Sequence, residues 1–133
     1  MIIEIPVAVA ELFDKISILE IKVAHLRDET RLAHARAELE QLNAIARHHQ
    51  LIEFIEDDLY RQLRHINQRL WDVCELRRQY EQRGQFDDAF IEQSRLEYKT
   101  NDQRAAIKQQ INERFDSRIV EVKSYEQFSH ITK

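Results

Sequence analysis

The chain of 133 residues is long enough for one domain with one core, and its single glycine and single proline leave too few turn residues for a many-stranded sheet. Its 43% hydrophobic and 33% charged residues are typical of helices with one buried and one solvated face. A net charge of −4 argues against nucleic-acid binding, and the lone Cys74 excludes an intrachain disulfide. We therefore expect one mainly helical domain over residues 1–133, located in the cytoplasm and without a membrane segment.

The first third of the chain combines an extended arm with two helices. Residues 2–7 are β-prone and contain the only proline, which predicts a short strand or an extended arm. Apolar residues then recur every three or four positions and predict a helix from about Val9 to Arg27. A second stripe follows the polar joint at residues 28–30 and fades at His48–His49, which predicts a second helix.

The middle of the chain predicts a long helical hairpin. The segment from Leu51 to Arg83 contains no helix breaker and would form one helix of about 50 Å at 1.5 Å per residue. Gly84 follows it and suits a helix C-terminus that needs a left-handed residue. Asp87 and Asp88 suit the N-terminus of a fourth helix, which we expect to pair antiparallel with the third.

Residues 119–125 are rich in β-branched side chains in partial alternation, which predicts a strand. The only other candidate strand is the N-terminal arm, so we expect the two to pair. The predicted fold is therefore three or four long antiparallel helices with two short, paired terminal strands.

Residues 99–104 are six consecutive polar residues within an otherwise periodic helix. In one interpretation, Thr100 caps a new helix and Gln103 returns the hydrogen bond, so that the stretch is a kink or a restart. In the other, the helix continues, and Asn101, Lys108 and Asn112 share one face. The residue spacing is compatible with both.

The continuous helix predicts a polar site between the third and fourth helices. If these helices are antiparallel about Gly84, residues whose numbers sum to about 170 lie at one level, which brings Asn67 and Trp71 near the polar stretch. A buried polar set is satisfied internally, by water or by a ligand, and the cations Arg104 and Lys108 suit a small anion. The candidate ligand-binding residues are Asn67, Trp71, Tyr98, Asn101, Asp102, Arg104, Lys108 and Asn112.

The sequence predicts no metal site, no catalytic residue and no cofactor. His48 and His49 point about 100° apart on a helix, and no other residues have metal-binding spacing beside them. Cys74 has no identifiable base nearby and is interpreted as a small buried hydrophobe. One glycine cannot form the glycine-rich loops that bind phosphates or dinucleotides.

Three segments of the chain, Ile5 to Lys22, Leu70 to Asp72 and Tyr98 to Asn112, carry a recognisable pattern. They resemble a bacterial family of unknown function with the pattern I/V-P-V-S-V-G-E-L-I-D-K-I-T-I-L-E-I-K, then L-W-D, then Y-x-T-N-D-x-R-A-x-x-K-x-x-I-N. A closing E-x-K-S-Y also matches. The resemblance covers nearly the whole chain.

The resemblance implies a shared fold and a shared task, but the family has no assigned activity and therefore supplies no catalytic residues. This chain has Ala8 and Ala10 where the family has Ser and Gly, and His25 where the family has Arg. Polar and aromatic side chains in matching positions are Asp14, Lys15, Glu20, Lys22, Trp71, Asp72, Tyr98, Asn101, Asp102, Arg104, Lys108 and Asn112.

Two functional hypotheses follow from these patterns. The first is a non-enzymatic helical module that forms a homo-oligomer or binds another protein, because long helices in a short chain must bury their apolar faces somewhere. The second is a protein, with or without enzymatic activity, that binds a small anionic ligand at the polar site between the third and fourth helices. Nucleic-acid binding through the more basic second half lacks any recognised motif.

Overall fold

The computed structural model describes residues 1–116, which form four α-helices and one short 3₁₀ helix. The elements are α1 (Val9–His25), α2 (Glu29–His48), the 3₁₀ helix (Ile52–Glu56), α3 (Asp58–Gln82) and α4 (Asp88–Arg114). Helix α1 contacts all three other α-helices, α2 packs on α1 and the 3₁₀ helix, and α3 and α4 form an antiparallel hairpin. The mainly helical fold with a helical hairpin is therefore confirmed.

Three of the four α-helices begin at an aspartate that caps a backbone amide. The side chains of Asp28, Asp57 and Asp87 accept hydrogen bonds from backbone N–H groups in the first turns of α2, α3 and α4, respectively. Helix α1 begins after Ala8, whose side chain cannot accept a hydrogen bond. The predicted start of the fourth helix at Asp87–Asp88 is confirmed, and α1 needs a cap from elsewhere.

The hydrophobic core lies at one end of the molecule, which we call the base. The rings of Phe13 and Phe54 lie 4.8 Å apart, and the ring of Phe115 lies 5.1 Å from that of Phe54. Aliphatic side chains from α1, α3 and α4 complete this core, among them Ile16, Leu63 and Ile111. Within the described chain, none of residues 71 to 106 belongs to this core cluster.

The rest of the α3–α4 hairpin, residues 72–98, we call the tip. It extends past the end of α1, where the His25 and Trp71 rings stack at 5.5 Å. An ion pair between Arg77 and Glu97 and the guanidinium of Arg77 over the Phe90 ring hold the two helices together here. The numbers in these pairs sum to roughly 170, so the predicted register of the hairpin is confirmed.

The C-terminal end of α3 agrees with the sequence prediction for Gly84. Its φ is +63°, its N–H donates to Glu81 O at 3.1 Å, and the Gln85 N–H donates to Tyr80 O at 2.8 Å. This pair of bonds is the Schellman motif, in which the left-handed residue follows the helix C-cap.

The predicted unbroken helix from Leu51 to Arg83 is wrong. Helix α2 ends in a second Schellman motif with Gln50 at φ +60°, and the chain then forms the 3₁₀ helix before Asp57 caps α3. The interruption places Phe54 in the core, where it contacts Phe13. Burial of this aromatic ring compensates for the lost helical turn.

Two further predictions about local structure need correction. Residues 1–116 contain no strand, so the predicted strand in the N-terminal arm is wrong, and the arm is exposed irregular chain. Its predicted partner, residues 119–125, lies outside the described residues. The capped restart at residues 99–104 is also wrong, because α4 runs without interruption through Thr100. Its hydroxyl does not cap a helix.

Candidate functional site

The centre of the site is the carboxylate of Asp14, on the second turn of α1. This residue is only 1% exposed. Arg104 of α4 donates from Nε to Oδ1 at 3.0 Å and from Nη2 to Oδ2, a two-pronged pairing that fits a guanidinium to a carboxylate. Asn67 of α3 donates from Nδ2 to the same Oδ1 at 2.9 Å. One buried carboxylate thus ties three helices together.

Ser17, one turn after Asp14, completes the contact with α3. Its hydroxyl donates to the backbone carbonyl of Asp14 at 2.8 Å and accepts from Asn67 Nδ2 at 2.7 Å. The Asn67 amide therefore bridges two side chains of α1. This bond set fixes the level at which α1 crosses α3.

Lys108 brings a second cation to the same place, one turn of α4 beyond Arg104. Its Nζ donates to Glu11 Oε2 at 2.9 Å and lies 3.7 Å from Asp14 Oδ2. Two cations thus face two carboxylates, and the charges of these four side chains balance. A buried charge is tolerated when it is paired and hydrogen-bonded in this way.

Asn112, one further turn along α4, supplies the missing cap of α1. Its Oδ1 accepts from the backbone N–H of Ala10 at 2.9 Å, across 102 residues of sequence. Together the three contacts form an antiparallel series, which we call the polar ladder: Asp14–Arg104, Glu11–Lys108 and Ala10–Asn112. It is the main polar connection between the first and last described helices.

The pKa values of the ladder reflect this pairing. Burial by itself raises the pKa of the Asp14 carboxyl, but the hydrogen bonds and charge of Arg104, with Asn67 and Lys108, outweigh it and hold the pKa below 3.8. Burial by itself lowers the pKa of the Lys108 ammonium, but the Glu11 hydrogen bond and the Asp14 charge raise it above its usual range. Both groups are therefore held in their charged forms.

Thr100 lies one turn of α4 before Arg104 and is 1% exposed. Within the described part of the chain its hydroxyl has no hydrogen-bond partner. A buried hydroxyl without a hydrogen bond lowers stability.

A separate polar contact joins α1 to α3 at Glu20, about one turn after Ser17. The Tyr60 hydroxyl donates to Glu20 Oε1, and Arg64 Nε lies 3.5 Å from Glu20 Oε2. Burial, together with the hydrogen bond to the Glu20 carboxylate and its charge, raises the pKa of Tyr60 well above its ordinary value of 10.0. The phenol therefore stays protonated and acts as a hydrogen-bond donor.

The structure brings together four of the eight predicted site residues: Asn67, Arg104, Lys108 and Asn112. Of the other four, Tyr98 is 59% exposed, Asn101 is half-buried, and Trp71 stacks on His25 instead. Asp102 is buried, but it lies about 200° around the helix from Arg104. That these residues bind a ligand stays a prediction.

The predicted site lacks the α1 half, which comprises Glu11, Asp14 and Ser17, although Asp14 stands in a position that matches the family pattern. A signal was present, because Asp14 lies four residues from Ala10, and Ser17 lies four residues from both Phe13 and Ile21, on a second buried stripe of α1. Polar residues on such a stripe need partners. The prediction followed only the most apolar stripe of this helix.

A groove among the described residues lies apart from the polar ladder. An open groove of about 480 Å³ lies at the base, lined by Phe54, Asp57, Arg114 and Phe115 among others. Its Asp57 and Arg114 pair with one another at 2.7 Å, and none of the eight predicted residues lines it. Within residues 1–116, no three His, Cys, Asp or Glu side chains are arranged to hold a metal ion.

None of the described helices combines the length and apolarity that crossing a membrane requires. Comparison with known proteins agrees with the resemblance seen in the sequence. The model of a family of unknown function, DUF6165, matches residues 1–132. No curated protein and no solved structure matches the chain significantly. With the family model covering nearly every residue, including both halves of the polar ladder, the chain belongs to DUF6165, a family of unknown function.

Proposed function

We propose that this protein is a non-enzymatic helical module that functions as a homodimer. The observation that carries the proposal is the distribution of exposed apolar side chains. Within residues 1–116, nearly all large exposed hydrophobic side chains lie on the N-terminal arm or on the tip, outside the core; they are Met1, Ile2, Ile3, Ile5, Val7, Phe86, Ile91 and Tyr98. Apolar surface gathered in this way is typical of interaction sites.

The polar ladder supports a structural role for the buried charges. Arg104 and Lys108, the cations on which the anion-binding hypothesis depends, face Asp14 and Glu11 at hydrogen-bonding distance. An incoming anion would have to displace these carboxylates and leave them unpaired, which costs several kcal/mol for a buried group. The arrangement favours a site that holds helices together.

A symmetric pair of copies is the association that best suits such a module. Most soluble assemblies are homo-oligomers with closed symmetry, and two-fold dimers are the commonest. In a two-fold dimer each surface within the interface is used twice, so one interface that includes the arm and the tip covers them in both copies. The proposal therefore requires no partner of another sequence.

Size-exclusion chromatography with light scattering tests the proposal over a range of protein concentrations. We expect a mass twice the 16.0 kDa of the chain. Exchange of Ile45 for Asp provides the matched control, because Ile45 is an exposed hydrophobic side chain of α2 away from both surfaces and should leave the mass unchanged. A monomer at every concentration would refute the proposed function.

A further inference from the structure

The N-terminal arm is apolar, exposed and charged at one position. Residues 2–7 lead directly into Ala8 at the start of α1, and Ile2, Ile3 and Ile5 are 70 to 84% exposed. Glu4 is the only charged side chain among them. The arm is thus an apolar segment with a single negative charge near its middle.

The tip carries a surface of complementary character on the outer face of α4. Ile91 and Tyr98 are seven residues apart and so lie on the same side of the helix, each more than half exposed. Arg95 lies between them on that side and is also exposed. We call Phe86, Ile91, Arg95 and Tyr98 the tip surface; it is apolar with a single positive charge.

The arm of a copy cannot cover the far part of its own tip surface. The Ala10 N–H bonds Asn112, so the arm starts beside that end of α4. Ile91 lies 21 residues from Asn112, about 32 Å along the helix at 1.5 Å per residue. Ile2 lies six residues before Ala8 and reaches at most about 21 Å when fully extended. An arm that contacts Ile91 therefore belongs to another copy of the chain.

We propose that the arm of each copy docks on the tip surface of the other, with Glu4 opposite Arg95, in a two-fold dimer. This inference rests on the proposed homodimer and specifies its interface. A two-fold axis between antiparallel copies brings the base of each beside the tip of the other, so one operation covers both apolar surfaces. Their charges are complementary, as recognition surfaces require.

Charge reversal in the full-length protein tests the contact between the two copies. Glu4→Lys and Arg95→Glu should each raise the dimer Kd about tenfold or more, because each sets like charges against one another in a docked arm. The double variant restores the opposite charges in exchanged places and should regain a Kd within about threefold of the wild type. Both positions are exposed, so folding is unaffected.

Cross-linking between differently tagged copies then locates the arm. In a Cys74→Ala background, one preparation carries Glu4→Cys and the other Arg95→Cys, the two positions that the proposal places opposite one another. After mixing and oxidation, we expect a disulfide-linked pair containing one chain of each kind, and no linked pair from either preparation alone. This pattern distinguishes arm-to-tip docking from other dimers.

Three outcomes overturn the inference and leave the proposed function standing: a dimer without mixed cross-links, Arg95→Cys chains that link to one another, or charge reversals that leave Kd unchanged. Efficient cross-linking within a single chain that carries both Arg95→Cys and Phe128→Cys would likewise overturn it, since the chain's own C-terminal residues would then cover the tip. A wild-type protein that is strictly monomeric refutes the dimer itself and the inference with it.

Discussion

The base and the tip of the molecule use the same hairpin helices for different purposes. At the base, α3 and α4 pack with α1 around an aromatic core, and the polar ladder matches each buried charge with an opposite one. At the tip, the contacts described within residues 1–116 join α3 to α4, and Ile91 and Phe86 remain exposed. The base is therefore where stability is concentrated, whereas the tip presents exposed apolar surface.

This difference teaches that a polar stretch of sequence can serve to join helices. The most polar stretch of the sequence lies in a helix that runs into the base, and its Arg104 serves to anchor α4 to Asp14. The most exposed apolar side chains lie elsewhere. If the comparison holds, substitutions at the base should change stability strongly, and substitutions at the tip should change it little.

The largest effect is expected for Asp14→Ala at the base. This exchange leaves Arg104 and Lys108 without their shared carboxylate and should lower the free energy of unfolding by about 3–5 kcal/mol. Urea denaturation followed by circular dichroism measures it. Asp72→Ala is the matched control, because Asp72 is exposed at the start of the tip and accepts only from Gln68; it should cost about 0.5 kcal/mol or less. Equal losses for the two variants would contradict the comparison.

The second prediction concerns pH and follows from the lowered pKa of Asp14. Between the folded and the unfolded pKa, the unfolded chain binds a proton that the folded chain does not, so acid favours unfolding. The contribution of Asp14 is complete above its unfolded pKa of about 3.9 and is lost as the pH falls through the lower folded value.

The stability gap between the wild type and Asp14→Asn should therefore narrow as the pH falls below about 4, because only the wild type titrates at this position. Urea titrations at a series of pH values between about 5 and 2 measure the gap. If the stability gap remains constant over this range, the ionised form of Asp14 does not stabilise the folded chain.

A smaller effect is expected for Asn112→Ala, which removes the cap of α1. The Ala10 N–H then loses its partner, and the free energy of unfolding should fall by about 1–2 kcal/mol. Ala8→Ser restores a local capping hydroxyl and should recover about half of this loss in the double variant. If Ala8→Ser raises the free energy of unfolding of the wild type by the same amount as that of Asn112→Ala, the two caps act independently.

The smallest effect is expected at the tip, for Gly84→Ala. The left-handed φ of +63° disfavours any side chain, but the added Cβ meets no atom within 4 Å, so the loss should be about 1 kcal/mol. Gln50→Gly at the corresponding position of α2 should instead gain about 0.5 kcal/mol. Thermal unfolding of both variants beside the wild type measures the pair, and a loss at Gln50→Gly would contradict the shared geometry.

These two positions also show how far the sequence allows the fold to be predicted. Gly84 and Gln50 end their helices with the same pair of backbone bonds and nearly the same φ. A glycine in the sequence indicates a left-handed φ at the end of a helix. Gln50 adopts this φ because the packing of Phe54 and the cap at Asp57 hold the chain there. The turn at Gly84 was therefore predictable, and the break near residue 51 was not.

The same limit applies to the candidate site. The hairpin register follows from the position of one turn, so the nearness of Asn67 to the polar part of α4 could be predicted from residue numbers. The position of α1 depends on long-range packing, which the spacing of apolar residues along a helix does not reveal. The α4 half of the ladder is therefore predictable from residue spacing, whereas Asp14 is indicated only by the family pattern and Glu11 only by the folded chain.

The cap that Asn112 provides for α1 has a consequence for how the protein is made. A nascent chain grows by about 5–20 residues per second, so the 102 residues between Ala10 and Asn112 take roughly 5–20 s to synthesise. Throughout that interval the first helix leaves the ribosome without its cap, and Asp14 emerges without Arg104. Of the described helices, α1 is thus translated first and yet is among the last to be secured, and α4 completes it.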